Sequence, residues 1–306
     1  MPLKKSELRI DTIHDRAVIV APRRGLRPHD IAETTVPVRQ GTCPFCKELL
    51  RKNPILARSG SGKNTIQAIA NGFPAVSLDN PKAYGKQEVL IETPIHNVEF
   101  AELSAKQIDH ALAMYQQRTR AISKNAKIEY ILIFKNNGGK AGATLVHAHS
   151  QIFATGFVPP HIAQKLANVK QYEIVHGTCY YCDLIAKEKR GPRRIIATPH
   201  VTAFSPYVSH YPYEAWIFPT RHLDNITQLR PVERRAFAVA IRHILGKLNT
   251  INVPYNYYLH QTLTDNDEHF YLRVAPREQT WGGVEVGSRL VINQVAPEDA
   301  AKFYRK

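Results

Sequence analysis

Apolar and polar positions recur along the chain with two periods, and their order predicts the elements. A strand-like run, Val89-Leu90-Ile91-Glu92, ends at Pro94-Ile95-His96. Ser104 and Gln107 form a capping box ahead of Ile108, Leu112 and Tyr115, whose helical spacing predicts an amphipathic helix. A strand over 128–134 follows, then a glycine-rich loop, then Val146-His147-Ala148-His149-Ser150-Gln151, which alternates as a strand. The same order returns later. The run Glu214-Ala215-Trp216-Ile217-Phe218 ends at Pro219-Thr220-Arg221-His222. Ala236, Ala240, Ile244 and Leu248 mark a helix over 232–248, and a strand over 255–259 leads to His269-Phe270-Tyr271. Two copies of one strand-helix-strand module predict an α+β protein, each module an antiparallel sheet with packed helices, one over 1–160 and the other over 161–306.

The cysteines fit this repeat. All four lie in two C-x-x-C pairs, each preceded by Gly-Thr: Cys43 and Cys46 in the first copy, Cys179 and Cys182 in the second. A redox dithiol is the competing reading, but two of them in one chain would be odd for a redox enzyme. A tight turn offering two thiolates is half of a zinc tetrahedron, and imidazole is the natural complement. Position within the repeat selects His96 and His147 for the first site and His222 and His269 for the second, with His200, His210 and His260 as rivals. Two closed, structural zinc sites per chain are expected.

The segment from Asn136 through Gly138, Gly139, Gly142 and Thr144 to Gln151 carries the chemistry. With period two, His147, His149 and Gln151 share one face, while Val146, Ala148, Ser150 and Ile152 share the other. An imidazole held at one nitrogen by a backbone carbonyl presents the other as a neutral nucleophile for phosphorus. Gln151, Thr144 and the glycine loop would then hold the non-bridging oxygens as charge redistributes. A second glycine-rich stretch, Ser59 to Asn64, imitates a phosphate loop. It has Ala57 where the first glycine belongs and Asn64 where a magnesium-binding hydroxyl belongs, and is expected to be a surface loop.

The run His147-Ala148-His149-Ser150-Gln151, behind an asparagine and a glycine-rich loop and downstream of C-x-x-C, resembles the galactose-1-phosphate uridylyltransferase family of the histidine-triad superfamily over nearly the whole chain. The resemblance implies two pseudo-twofold-related histidine-triad-like modules, a homodimer and a ping-pong reaction. A nucleotide sugar would give its nucleoside monophosphate to His149 and release a sugar 1-phosphate; an acceptor would then take the nucleotide. It also implies that Arg24 and Arg27 reach the nucleotide phosphates, that the segment with Asn71 and Phe73 lines base and ribose, and that Asn136, Gly142 and Thr144 hold the α-phosphate beside Gln151. Cys43, Cys46, His96 and His147 match the family's metal ligands. Tyr271 and Arg273 stand where a second nucleophile and glutamine would be, so one catalytic histidine per chain is expected. Ala148 and Ser150 replace the proline and glycine usual in the uridylyltransferases. The stretch Thr280 to Ser288, the run Val291-Ile292-Asn293 and the run Ala296 to Ala300 look more like the ADP-sugar phosphorylase branch, whose acceptor is inorganic phosphate. Transfer from a UDP-sugar to hexose 1-phosphate is the first reading and ADP-sugar phosphorolysis the alternative, with base, sugar and acceptor left open. A related hydrolase or dinucleoside polyphosphate phosphorylase ranks third.

Composition narrows the remaining classes. The chain has 306 residues, 43% of them hydrophobic and 22% charged, which suits one large or two medium globular domains. No apolar run reaches the ~18 residues of a membrane span, and the start MPLKKSELRI lacks a signal-peptide core, so a cytoplasmic protein with no membrane partner is expected. Lys and Arg number 41 against 26 Asp and Glu, a net charge of +15. The charge is spread along the chain and serves phosphorylated metabolites as well as nucleic acid. A non-catalytic zinc protein binding RNA is the reading from another class. Against it stands the intact His-x-His-x-Gln with its glycine loop, which has no purpose in a binding module.

Overall fold

Strands Glu7–Asp11 (β1) and Arg16–Val20 (β2) form a small sheet with Val291–Asn293 (β13). The computed structural model describes residues 7–20, 43–46, 50, 54–263 and 268–306. The main sheet contains Ile55–Ser59 (β3), Ile66–Ala70 (β4), Gly85–Ile91 (β5), Tyr130–Asn137 (β6) and His149–Thr155 (β7) from the first half of the chain. The second half supplies Arg194–Ala197 (β8), Val201–Phe204 (β9), Ala215–Pro219 (β10), Tyr255–His260 (β11) and Tyr271–Pro276 (β12). Their order is β3-β4-β5-β7-β6-β11-β12-β10-β9-β8, with every neighbouring pair antiparallel. The two sheets expected from the repeat are therefore halves of one, joined where β6 pairs with β11 from Ile133↔Leu259 to Asn137↔Tyr255. Matching strands of the two copies lie equally far from that seam.

The α-helices with described bounds are Ala105–Ile122 (α1), Pro160–His176 (α2), Tyr180–Glu188 (α3), Pro231–Thr250 (α4), Gly283–Ser288 (α5) and Pro297–Arg305 (α6). The capping box that starts α1 is formed: Gln107 N–H donates to Ser104 Oγ at 3.3 Å, and Ser104 N–H donates to Gln107 Oε1 at 3.0 Å. Helical periodicity then sends Ile108, Leu112 and Tyr115 into one core with Ile131, Ile133, Ile152 and Ala154 of the sheet. From α4 the buried stripe runs through Phe237, Ile241, Ile244, Leu245 and Leu248, and Ala236 lies at its edge. Glu88 of β5 is fully buried beneath α1 and receives two 2.8 Å bonds from Arg118, a fork that matches a carboxylate.

Alternation sends the intervening residues to the opposite face, and there the two halves differ. In the second half α2 and α3 cover it, packing Val169, Tyr181 and Ile185 on Phe204, Trp216, Phe218 and Tyr271. In the first half the corresponding face carries the smaller cluster of Leu50, Ile69, Val89 and Ile91 beneath Phe45, next to His149 and Gln151. The Ser59–Asn64 stretch is the exposed turn of the β3–β4 hairpin, as its sequence implies. Gly60 (φ +74°) is required there, because a Cβ would stand 2.2 Å from the Asn64 carbonyl oxygen. No described helix is long and apolar enough to cross a membrane.

The capping box gives the first prediction. Ser104→Ala removes an acceptor from the first turn of α1 and is expected to lower unfolding stability by about 1 kcal/mol, read as a fall in the urea midpoint with an unchanged m-value.

Candidate functional site

Cys43 and Cys46 lie on a tight turn closed by Cys46 N–H donating to the Cys43 carbonyl at 3.2 Å. With His96 and His147 they bring four ligand atoms within 4.8 Å of one another. His147 Nδ1 is 3.7 Å from Cys43 Sγ and 3.8 Å from Cys46 Sγ, and His96 Nδ1 is 3.5 Å from Cys46 Sγ. The His147 ring is oriented from behind, since its Nε2–H donates to the Thr93 carbonyl at 2.7 Å and leaves the Nδ1 lone pair toward the thiols. Burial, acting against the charged form, lowers the His147 pKa and favours the neutral imidazole that a metal needs. Two thiols and two imidazoles at this separation fit a tetrahedral divalent ion.

The second set is gathered in part. Cys179, Cys182 and His222 form a three-residue group, with Cys182 Sγ 3.5 Å from His222 Nδ1. A hydrogen bond from Cys182, then one from His222, lowers the Cys179 pKa to about 4 against the opposing effect of burial. His269 stands beside this group, its ring centroid 4.9 Å from that of His222. Its Nδ1 is 3.1 Å from the Phe270 carbonyl, and its buried Nε2 has no partner among the described residues. Of the rivals, His260 is engaged by Lys165 at 3.1 Å, and neither His200 nor His210 joins a described metal group.

His149 opens β7, and His147 lies in the bend just before it. The expected alternation holds: His149 and Gln151 take one face, while Ser150 and Ile152 take the face toward α1. His149 Nδ1–H donates to the His147 carbonyl at 2.8 Å. A carbonyl can only accept, so the proton sits on Nδ1 and Nε2 carries the lone pair. Burial, followed by the Lys135 charge, lowers the His149 pKa and keeps the ring neutral near pH 7. Phe45 of the Cys43–Cys46 turn packs against this ring, centroids 4.9 Å apart. Gln151 is also fixed: its Oε1 accepts from Gln87 Nε2 at 3.1 Å and from Asn71 Nδ2 at 3.5 Å. With the oxygen engaged, the amide presents a donor, which a phosphoryl oxygen requires.

Behind the strand lies a buried network. Lys135 Nζ donates to Glu92 Oε2 at 2.8 Å and to the His149 carbonyl at 3.0 Å. The Tyr115 hydroxyl is 2.8 Å from Ser150 Oγ, 2.6 Å from the Tyr257 hydroxyl and 3.1 Å from Glu92 Oε1. Sequence reading assigned no site role to Lys135, Glu92, Gln87 or Phe45. A signal for Lys135 was present: period two from Ile131 and Ile133 sets its ammonium on the core face, where a lysine demands a partner.

The remaining residues divide by position. Asn136 Nδ2 donates to the Gly142 carbonyl at 3.3 Å, and Asn256 Nδ2 donates to Asn136 Oδ1 at 2.8 Å and to the Ala141 carbonyl at 2.7 Å. These bonds pin the glycine loop, where Gly142 adopts φ +81°. Asn71 is at the site, and the chain after it is tied there by Ala75 N–H donating to Gln87 Oε1 at 3.0 Å. Phe73, 97% exposed, and the exposed Thr144 stand at the surface. Arg24 and Arg27 lie outside the described residues.

Comparison with known proteins points the same way. Residues 48–159 match the family described as galactose-1-phosphate uridyl transferase, N-terminal domain. The ADP-glucose phosphorylase of Arabidopsis thaliana is 30% identical, over 98% of this chain and 92% of that protein. The galactose-1-phosphate uridylyltransferase of Thermotoga maritima is 26% identical over 98% of each. Among solved structures, the Arabidopsis thaliana ADP-glucose phosphorylase with bound ADP-glucose superposes with a TM-score of 0.87 over 99% of both chains.

The network behind His149 makes a prediction. Lys135→Met leaves Glu92 buried without its cation and is expected to destabilise the fold by about 3 kcal/mol. Adding Glu92→Gln should return part of that loss in a double-mutant cycle, whereas strictly additive losses would mean that the pair is not coupled.

Proposed function

The chain belongs to the galactose-1-phosphate uridylyltransferase family, and from that premise we propose that it is a nucleotidyltransferase working through a covalent nucleotidyl group on His149. One observation carries the reading: the 2.8 Å bond from His149 Nδ1–H to the His147 carbonyl, which fixes the tautomer. His149 Nε2 attacks the α-phosphorus of a nucleotide sugar; the Nε2–P bond forms, the P–O bond to the β-phosphate breaks, and a sugar 1-phosphate leaves with the electron pair. The proton stays on Nδ1, so the nucleotidylated ring is cationic and is a good leaving group for the second half-reaction. Gln151 Nε2 holds a non-bridging oxygen, and the loop pinned by Asn136, with Gly142 and Thr144, closes on the same phosphoryl group. Arg24 and Arg27 are assigned to the diphosphate, and Asn71 with Phe73 to the ribose and base.

For the donor and acceptor we favour an ADP-sugar and inorganic phosphate over a UDP-sugar and hexose 1-phosphate. The resemblance is greater to the phosphorylase, 30% against 26% identity. Ser150, which replaces the glycine usual in the uridylyltransferases, is built into the core by Tyr115. Zinc is assigned to both Cys/His sets as a structural ion, with His269 Nε2 completing the second; zinc there would fix the turn carrying Phe45 and the residue preceding the nucleophile strand. The equal spacing of matching strands from the β6–β11 seam supports two pseudo-twofold-related modules, 1–160 and 161–306. A cytoplasmic homodimer completes the proposal.

Two experiments test it. Incubation with ADP-glucose should give an acid-labile adduct of AMP mass that is lost in His149→Gln, and UDP-glucose should give little. A UMP adduct instead would return the assignment to the uridylyltransferases, and no adduct from either donor would defeat the transferase reading. Metal analysis should find two zinc ions per chain, with chelation lowering the melting temperature before it changes the rate of adduct formation in the protein that stays folded. One ion per chain would remove the second site.

A further inference from the structure

A cavity where the two halves of the sheet meet is not used by the proposed reaction. About 660 Å³ in volume, it lies on the sheet face shared by His149 and Gln151, but its floor is Phe153, Leu132, Tyr258, His260 and Arg273. Arg273, the repeat counterpart of Gln151, is 3% exposed. Its Nε is 2.6 Å from Glu214 Oε1, and its Cζ lies 5.6 Å from the ring centroids of both Tyr211 and Tyr258. Glu214 is anchored in turn by Trp216 Nε1–H at 2.7 Å and His210 N–H at 2.8 Å. The guanidinium is thus charged, clamped between two rings and unable to swing to solvent. Yet its Nη2, fully buried, has no hydrogen-bond partner among the described residues. Arg273 nevertheless lines the cavity, so a cation whose hydrogen-bonding capacity is only partly met lies against the space a ligand would fill.

The walls say what that acceptor is attached to. Tyr130, Phe153, Tyr258 and Trp281 line the cavity with aromatic surface, and Arg289 stands exposed at its rim. Asp15 and Glu285 also reach the lining, but Glu285 is committed to the Gly282 N–H at 2.9 Å. The volume lies within the ~300–1,000 Å³ of small-molecule sites. We propose that this cavity binds an anion bearing a flat ring, of the nucleoside monophosphate class, with its phosphate on Arg273 and its ring between the aromatic walls. Such a site is separate from His149 and holds its ligand without chemistry, since Tyr271 replaces the nucleophile.

Equilibrium dialysis of the full chain with radiolabelled AMP tests this. Leu132→Trp fills the cavity without touching the Arg273–Glu214 pair, and Arg273→Gln keeps a donor while removing the charge. One binding equivalent should disappear in Leu132→Trp and weaken about tenfold or more in Arg273→Gln; a melting temperature close to the parent's certifies the fold of Leu132→Trp, and Arg273→Gln, which leaves Glu214 buried without its cation, is assayed below its own lowered melting temperature. AMP binding unchanged by Leu132→Trp, or absent from the parent, would overturn the proposal. So would inorganic phosphate competing as strongly as unlabelled AMP, because the aromatic walls would then contribute nothing.

Discussion

His147 ties three parts of the molecule together. Its Nδ1 faces the two thiols, its Nε2–H is spent on the Thr93 carbonyl, and its own carbonyl accepts the Nδ1–H of His149. The three bonds are not independent. Rotating the imidazole to suit a different ligand would break the Thr93 bond, and shifting the backbone would release the proton that defines the tautomer of His149. The first Cys/His set therefore bears on His149 through the backbone of His147 and the ring of Phe45. It holds the peptide that orients His149, while Phe45 from the same turn limits the tilt of the ring. In the proposed reaction His149 must be aimed to within a few tenths of an ångström, and the aim would come from this cluster at the end of a strand.

The Glu92–Lys135 pair supplies the same rigidity from the other side. Both residues are essentially buried, so the pair must recover two desolvation penalties. It does so by satisfying further groups: the His149 carbonyl, and through Tyr115 and Tyr257 the hydroxyl of Ser150. Replacement of such a network by apolar side chains would leave the His149 carbonyl without its ammonium donor. Specific placement of β7, rather than net stability, is what the arrangement secures. It also explains the serine between His149 and Gln151, which has a hydroxyl partner waiting on α1.

What could be read in the sequence was local or repeated. Period two separated His149 and Gln151 from Ser150 and Ile152, the capping box located the start of α1, and the C-x-x-C pairs with histidines at matching places in the repeat brought the first Cys/His set together. What could not be read depends on strand order. Lys135 and Glu92 are 43 residues apart, and Asn71 and Gln151 are 80 apart. They meet only because β7 inserts between β5 and β6, an arrangement that no window of sequence encodes. The fusion of both halves into one sheet was hidden for the same reason: each strand pattern is satisfied equally by two small sheets or by one. His269 was expected in the second set from its place in the repeat, but it stands beside the Cys179, Cys182 and His222 group, its Nδ1 meeting a carbonyl, the opposite choice of nitrogen from His147.

The two halves contrast further. At the place of His149 the second half has Tyr271, fully buried against Phe218 at 4.7 Å and Trp216 at 5.1 Å between ring centroids. A side chain so enclosed cannot meet a phosphorus atom, whatever its nucleophilicity. Where the first half leaves its face to a small apolar cluster and keeps His149 within reach of solvent, the second covers the same face with α2 and α3 and turns it into core. Because β6 and β11 join the halves edge to edge, the sheet, though not this core, is continuous as far as β7 and His149. On the proposed reading the second half can keep the buried Arg273 where the first needs the neutral amide of Gln151.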